Sequence, residues 1–534
     1  MKEDIDLDNI GETTWEPELA IPLVNSSFTI KDLLLEADKR GQVLTDPVTG
    51  LCSLVYRGQL VSPSGAQFVI LPDQTFQAEY EASVSDANNI NTLPTGGTYL
   101  TGTSTTLTFE PDTNIVIIDE LTLSDGDLII DINSNINQDV LLTVTVPAAQ
   151  KNGQVFQESF PIPAATGGNV SQQIRMDMSG YVIDLTQGGT TTNTVTCNYT
   201  VLITKTSATL QAGQRITMDN RLQDLRFSLI RGDFGQQKLF NIDDRDTIAL
   251  SLFKNVVPDS GNFRLNQAIA NLKIENGFGI PLRIDTLLLE PYGSGQTFPY
   301  PYIPTPQGYT PLYLAAPAAP GQITVTTPPS IGGPNAIELN AIISAKPKNL
   351  VYGLEALSNP NGPPPPGSRN FISDTSRVRI RFEIIMPFYG SAWNFTFRDT
   401  TPFDLGSDFT EYLTSAELRS TTTNGFPFDV EMNIDFTDSD YQVLQTLKPE
   451  TEFERVIESA MINANGDVTQ PTVRNTRFLI NSNEVAQLKD VRHIIVRAKG
   501  STTNNGVSDV KMYDHYRLDF KLGMKGNFNF PVQP

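Results

Sequence analysis

Arg377-Val378-Arg379-Ile380-Arg381-Phe382-Glu383-Ile384 sets a charged residue and an apolar residue in strict alternation. A β-strand sends successive side chains to opposite faces, so this stretch has one face for a core and one for water. The same period returns where Tyr516, Leu518, Phe520 and Leu522 interleave with Arg517, Asp519 and Lys521, and again in Val195, Cys197, Tyr199, Val201 and Ile203. Helical spacing is scarce. It appears in Ile30, Leu33, Leu34 and Ala37 ahead of Gly41, in Phe453, Val456, Ile457 and Ala460, and over 485–488. The pattern predicts an all-β chain of Ig-like β-sandwiches in tandem, with an extended N-terminal arm and few short helices.

A chain of 534 residues exceeds what one core organises, and about three domains of roughly 150 residues each are expected. The Pro- and Trp-bearing start gives an arm and short helix over 1–45. Quick strand candidates separated by turn clusters such as Ser124-Asp125-Gly126-Asp127 give a first sandwich over 46–215. A second covers 216–358 and a third 370–534, with the Pro-rich run at 359–369 between them as a stiff linker or loop. No repeat of fixed short period is evident.

The formal net charge of −22 makes the surface repel nucleic-acid phosphates and anionic headgroups, so nucleic acid is set aside as a partner. Cys52 and Cys197 both sit in strand-like sequence, as buried thiols or as one long-range disulfide. His493 and His515 read as strand-edge residues without a nucleophile motif beside them. With so few soft ligands no organic cofactor, zinc or iron is expected, and calcium is the one ion the Asp-rich turns suit. Asp435, Asp438 and Asp440 are the candidate calcium ligands, with Asp243-Asp244-Asp246 and Asp125-Asp127-Asp131 as further clusters. Each also reads as ordinary turn carboxylates. Arg231-Gly232-Asp233 matches an adhesion tripeptide in what reads as a turn.

The most unusual composition lies over 291–320, where Tyr292, Tyr300, Tyr302, Tyr309 and Tyr313 alternate with prolines. Proline resists the sheet ladder, so a long loop is predicted that presents tyrosine rings for protein contact or sugar stacking, or folds them back over a core.

Several phrases carry a family likeness: Trp15-Glu16-Pro17-Glu18-Leu19-Ala20-Ile21-Pro22, Gly232-Asp233-Phe234-Gly235, Lys273-Ile274-Glu275-Asn276-Gly277-Phe278-Gly279-Ile280-Pro281, Met386-Pro387-Phe388-Tyr389-Gly390 and Arg398-Asp399-Thr400. Together they resemble exported surface lipoproteins of Bacteroidota, and the Asn-Gly-Phe-Gly phrase is similar to the desiccation-associated Ig-like module. The resemblance implies a lipidated cysteine at the mature N-terminus followed by lysine and acidic residues. Met1, ahead of Lys2-Glu3-Asp4, is thus read as standing where that cysteine belongs.

The expectation is a non-enzymatic, outer-membrane-anchored surface lipoprotein acting in binding or assembly. It would serve an outer-membrane uptake or secretion complex or act as an adhesin, touching the membrane only through its lipid anchor, with a protein complex or a glycan as partner. The alternatives are a carbohydrate-active enzyme with a carboxylate pair, and a filament subunit whose N-terminal arm donates a strand to a neighbour.

Overall fold

The computed structural model describes residues 14–15, 18–34, 42–111, 116–254, 261–293, 311–332, 337–365, 369–402, 412–450 and 455–531. Among the described residues strand accounts for 58%, in antiparallel sheets, with five short helices. The all-β expectation holds.

The strands build three sandwiches of one topology. In the inner sandwich the strands, in chain order, are Gln74–Glu81, Thr98–Thr108, Ile117–Ser134, Asp139–Lys151, Gln154–Ile162, Val170–Asp177, Thr194–Thr204 and Arg215–Asp233. One sheet runs first, eighth, third, sixth; the facing sheet runs second, seventh, fourth, fifth. The middle sandwich repeats both orders. Its strands are Cys52–Val61, a second strand split into Lys238–Phe240 and Asp246–Ala249, then Ile269–Asn276, Leu282–Tyr292, Leu312–Leu314, a split sixth strand at Thr324–Thr326 and Ile331–Gly332, Asn349–Ser358 and Val378–Pro387. The outer sandwich does so again with Glu18–Phe28, Phe395–Pro402, Leu413–Asn424, Phe428–Thr437, Val443–Leu447, Thr472–Ile480, His493–Thr502 and Leu518–Phe528.

The three are nested. In the outer and middle sandwiches the chain lays down the first strand and a one-turn helix, then leaves to build the whole of the next sandwich before returning for its second strand. The helix starts are alike because each is fixed by the same local bond. The backbone N–H of Thr29, Ser64 and Ser83 donates to the side chain three residues on, Asp32 at 2.7 Å, Gln67 at 3.0 Å and Asp86 at 2.9 Å.

A second shared device turns the chain from the third strand to the fourth, across the sandwich. Asn276 lies opposite Val378, Asn424 opposite Leu518 and Ser134 opposite Ile216. The next backbone N–H, of Gly277, Gly425 and Asn135, donates to the carbonyl of Arg377, Arg517 and Arg215 at 2.9, 2.7 and 3.1 Å. The polar side chain then accepts from the following N–H: Phe278 to Asn276 Oδ1 at 3.0 Å, Phe426 to Asn424 Oδ1 at 2.9 Å, Ile136 to Ser134 Oγ at 3.2 Å. Phe278, Phe426 and Ile136 are fully buried, so each turn plugs its core. Glycine suits the tight copies because a Cβ would stand 2.8 Å from the Arg377 carbonyl oxygen at Gly277, and 3.0 Å from that of Arg517 at Gly425.

Apolar packing joins the inner and middle sandwiches into one continuous core, while Leu413, Phe436, Leu447, Phe478 and Phe528 form the outer one. Tyr199 donates to Asn220 across the inner sandwich at 2.7 Å, and the Tyr352 ring stacks on Phe382 across the middle one at 5.6 Å.

Several expectations need correction. The sandwiches follow one another as nested units, so neither 215 nor 359–369 separates domains. Residues Arg215–Asp233 are the closing strand of the inner sandwich, and the described residues 359–365 and 369 lie between the seventh and eighth strands of the middle one. The Ser124-Asp125-Gly126-Asp127 cluster is a bulge within one long strand rather than a turn, matched by register shifts between Gln223 and Leu229. Of the helix expected around 453–460, Phe453 lies outside the described residues and Arg455–Ile457 is instead a strand, because Val430 and Glu431 offer a ladder to pair with. The arm is the outer sandwich's first strand over Glu18–Phe28. Cys52 and Cys197 are free and buried, in different sandwiches.

Candidate functional site

The long pair of strands that closes the inner sandwich extends past its bulge toward the middle one. There Ile117–Leu123 and Leu225–Asp233 are flanked by Val182–Asp184 on one side and Asn370–Ser373 on the other. This ribbon has two faces. Ile183, Leu121, Ile230 and Ile372 lie in register and are buried. One residue along, Asp184, Glu120, Arg231 and Phe371 form a row across the same strands on the opposite face.

That polar row lines a cleft of about 890 Å³ between the inner and middle sandwiches. Its far wall carries Pro281, Pro317, Pro363 and Pro364. Every cleft carboxylate is engaged. Glu120 pairs with Arg231 Nε at 3.2 Å, and the Arg231 guanidinium lies 5.7 Å from the Phe371 ring centre. Asp119 pairs with Arg369 Nε at 2.8 Å, and Arg369 also donates to the Pro364 carbonyl at 2.9 Å. Burial pushes the Asp184 carboxyl up. Hydrogen bonds from the Thr186 hydroxyl and N–H and from the Gly188 N–H outweigh it, so Asp184 is held below the usual carboxylate range. The site offers fixed, planar, charge-neutralised hydrogen-bonding groups beside apolar proline rings.

The tyrosine-rich segment enters the structure from here. Tyr313 lies opposite Arg283, is 55% exposed, and stands three residues before Ala316 in the cleft wall. Tyr292 is 67% exposed at the other end of the long fourth strand, about 30 Å away at ~3.4 Å per residue. Tyr300, Tyr302 and Tyr309 lie outside the described residues. The segment occupies the connection between the fourth and fifth strands. In the inner sandwich this connection is the two-residue turn Asn152-Gly153, with φ of 53° and 78°, and in the outer one it is 438–442. In the middle sandwich it spans 293–311.

Of the candidate calcium ligands, Asp438 and Asp440 occupy the outer version of that same connection and Asp435 lies in the strand Phe428–Thr437 before it. Asp435 is buried, pairs with Arg497 at 2.6 Å and accepts from the Thr446 hydroxyl at 2.7 Å. Asp438 accepts from the backbone N–H groups of Asp440 and Gln442, both at 2.9 Å, which makes it the turn's own cap. Asp440 is exposed. Among the described residues no three His, Cys, Asp or Glu side chains converge as a metal site would. His493 stacks on Tyr441 beside this turn, with ring centres 4.5 Å apart. The Arg231-Gly232-Asp233 tripeptide lies within a strand rather than a turn, and Asp233 is buried, accepting from Gly235 N–H at 2.9 Å.

Sequence reasoning missed the cleft. Its residues come from six distant segments, and only the proline run gave a signal.

No protein-family model matches the chain, and no curated protein matches it in sequence. Among solved structures it is similar to one described as a "putative secreted protein from Parabacteroides distasonis ATCC 8503", at 10% identity and a TM-score of 0.26, over 96% of this chain and 99% of that one. No helix among the described residues is long and apolar enough to cross a membrane.

Proposed function

We propose that this chain is a non-catalytic surface binding protein whose recognition element is the tyrosine- and proline-rich connection at 293–311 together with the cleft beside it. One observation carries the reading: three sandwiches share one topology, and two of them make this connection with a short turn. The fold therefore does not need the long version, and its rings are free to serve recognition. In this reading Tyr292 and Tyr313 frame the element, Tyr300, Tyr302 and Tyr309 supply its anchors, and the partner is a surface protein complex or a glycan. A lipidated cysteine at the position of Met1 tethers the chain to the outer membrane. Calcium in the turn with Asp435, Asp438 and Asp440 is an accessory role at most.

The two alternatives gain less. The cleft carboxylates are ion-paired or saturated, which disfavours the hydrolase. The strand Glu18–Phe28 completes its own sandwich rather than reaching away, which disfavours strand donation.

Replacing Tyr300, Tyr302 and Tyr309 together with alanine should weaken binding to isolated outer membranes and to a panel of immobilised polysaccharides at least tenfold, while the melting temperature stays within a degree or two. Unchanged binding by the triple variant would overturn the assignment, and a large fall in melting temperature would show that the rings cap a core.

A further inference from the structure

A sheet edge is a row of unpaired backbone donors and acceptors, and proteins blunt it with charge, proline, a bulge or brevity. The described edges here are managed in that way with one exception. In the inner sandwich Gln74–Glu81 carries Glu79 and Glu81, Val170–Asp177 carries Arg175, and Gln154–Ile162 carries Glu158 and Pro161. The second strand of the middle sandwich is split in two, and that of the outer sandwich contains Arg398, Asp399 and Pro402.

The inner sandwich's second strand has none of these devices. Thr98-Tyr99-Leu100-Thr101-Gly102-Thr103-Ser104-Thr105-Thr106-Leu107-Thr108 has no charge and no proline. It pairs with Thr194–Thr204 along its whole length without a register shift, and among the described residues it has no strand on its other side. Its even-numbered residues face water, and Leu100 is 64% exposed.

The sequence of this edge also points to its occupant. A two-fold interface must be self-complementary. Folded antiparallel about Thr103, the strand sets Thr98 against Thr108 and Thr101 against Thr105. The large inward-facing Tyr99 then meets Leu107, exposed Leu100 meets exposed Thr106, and Gly102 meets Ser104. The sum of each pair is even, so every side chain stays on its own face of the sheet. Thr–Thr pairs are favourable cross-strand neighbours, and no like charges are opposed.

We propose that Thr98–Thr108 is a dimerisation edge, pairing antiparallel about Thr103 with the same strand of a second copy. The two facing sheets then join into one that crosses the two-fold axis. No residue of this strand lines the cleft between the inner and middle sandwiches.

The test uses the full chain, whose own cysteines are buried. Light scattering should give about twice the 58.7 kDa chain mass at micromolar concentration. Leu100→Cys and Thr106→Cys, each alone, should form no cross-link under mild oxidation, because each thiol faces a residue other than itself. An equimolar mixture should form a disulfide-linked dimer, since directly opposed residues lie about 4.5–5.5 Å apart between Cα atoms, the range a disulfide spans. Circular dichroism of both variants checks that they fold. A monomer at every concentration, or a dimer in which the mixture fails to cross-link, overturns the proposal.

Discussion

Replacing Asn276 with alanine removes a side chain that is 1% exposed and makes three hydrogen bonds. Oδ1 accepts from Phe278 N–H at 3.0 Å, and Nδ2 donates to the carbonyls of Ile280 at 2.9 Å and Ala315 at 3.1 Å. Each bond contributes about 1 kcal/mol net, and each buried group left without a partner costs about 1–3 kcal/mol, so the loss should be about 4 kcal/mol. The inner sandwich supplies the control. Ser134 holds the equivalent place with one bond of its own, to Ile136 N–H at 3.2 Å, and Ser134→Ala should cost only about 1 kcal/mol. A chain of several sandwiches need not unfold in one step, so hydrogen exchange read by mass spectrometry is the assay. In Asn276→Ala, exchange through subglobal opening in Val378–Pro387 should speed up about a thousandfold, at one factor of ten per ~1.4 kcal/mol. In Ser134→Ala the Arg215–Asp233 strand should change by about tenfold or less. Equal effects in the two variants, or less than a tenfold change in the first, would refute the view that this turn locks the sandwich.

Asp429 gives a pH signature. Burial, with Glu431 and Glu458 nearby and Arg455 opposing, pushes its carboxyl from 3.8 up to about 6. A raised carboxyl favours the protonated native state, so this contribution is full below about pH 4 and is lost as pH rises through 6. Asp429→Asn should raise stability at pH 7 by about 3 kcal/mol, at ~1.4 kcal/mol per pH unit, and flatten the profile between pH 4 and 6 in urea titrations; a destabilised variant at pH 7 would contradict this. Burial also pushes the Cys197 thiol up to about 12 and raises that of Cys52, so neither should react with a thiol reagent at pH 8 until the chain is denatured. Rapid labelling of the native protein would refute this.

The two-residue period carried the fold class without help, because it depends only on strand geometry. The division of the chain did not follow from it. Each sandwich is closed by strands far apart in sequence, such as Cys52–Val61 on Val378–Pro387, and composition marks no border where a nested unit begins. The readable trace was the pair Asn276-Gly277-Phe278 and Asn424-Gly425-Phe426, followed by Arg377-Val378 and Arg517-Leu518. A search at fixed short period passes over it, since insertions set the spacing. The spacing of Val456, Ile457 and Ala460 misled in the opposite direction: Val456 and Ala460, four apart, are both buried although the first lies in the strand Arg455–Ile457 and the second just beyond it. The row of Asp184, Glu120, Arg231 and Phe371 was beyond sequence reading, because register across four strands exists only after folding.

Nesting also sets a timetable for synthesis. The strand Glu18–Phe28 leaves the ribosome long before its partner Leu518–Phe528. The inner sandwich has all its strands once residue 233 has emerged, the middle one by residue 387, and the outer one only by residue 528. Throughout that interval the earliest strand has no ladder, exposed to mispairing with any open edge nearby. A ribosome that stalls between residues 387 and 518 would therefore release a chain with two finished sandwiches and the outer one's first strand loose.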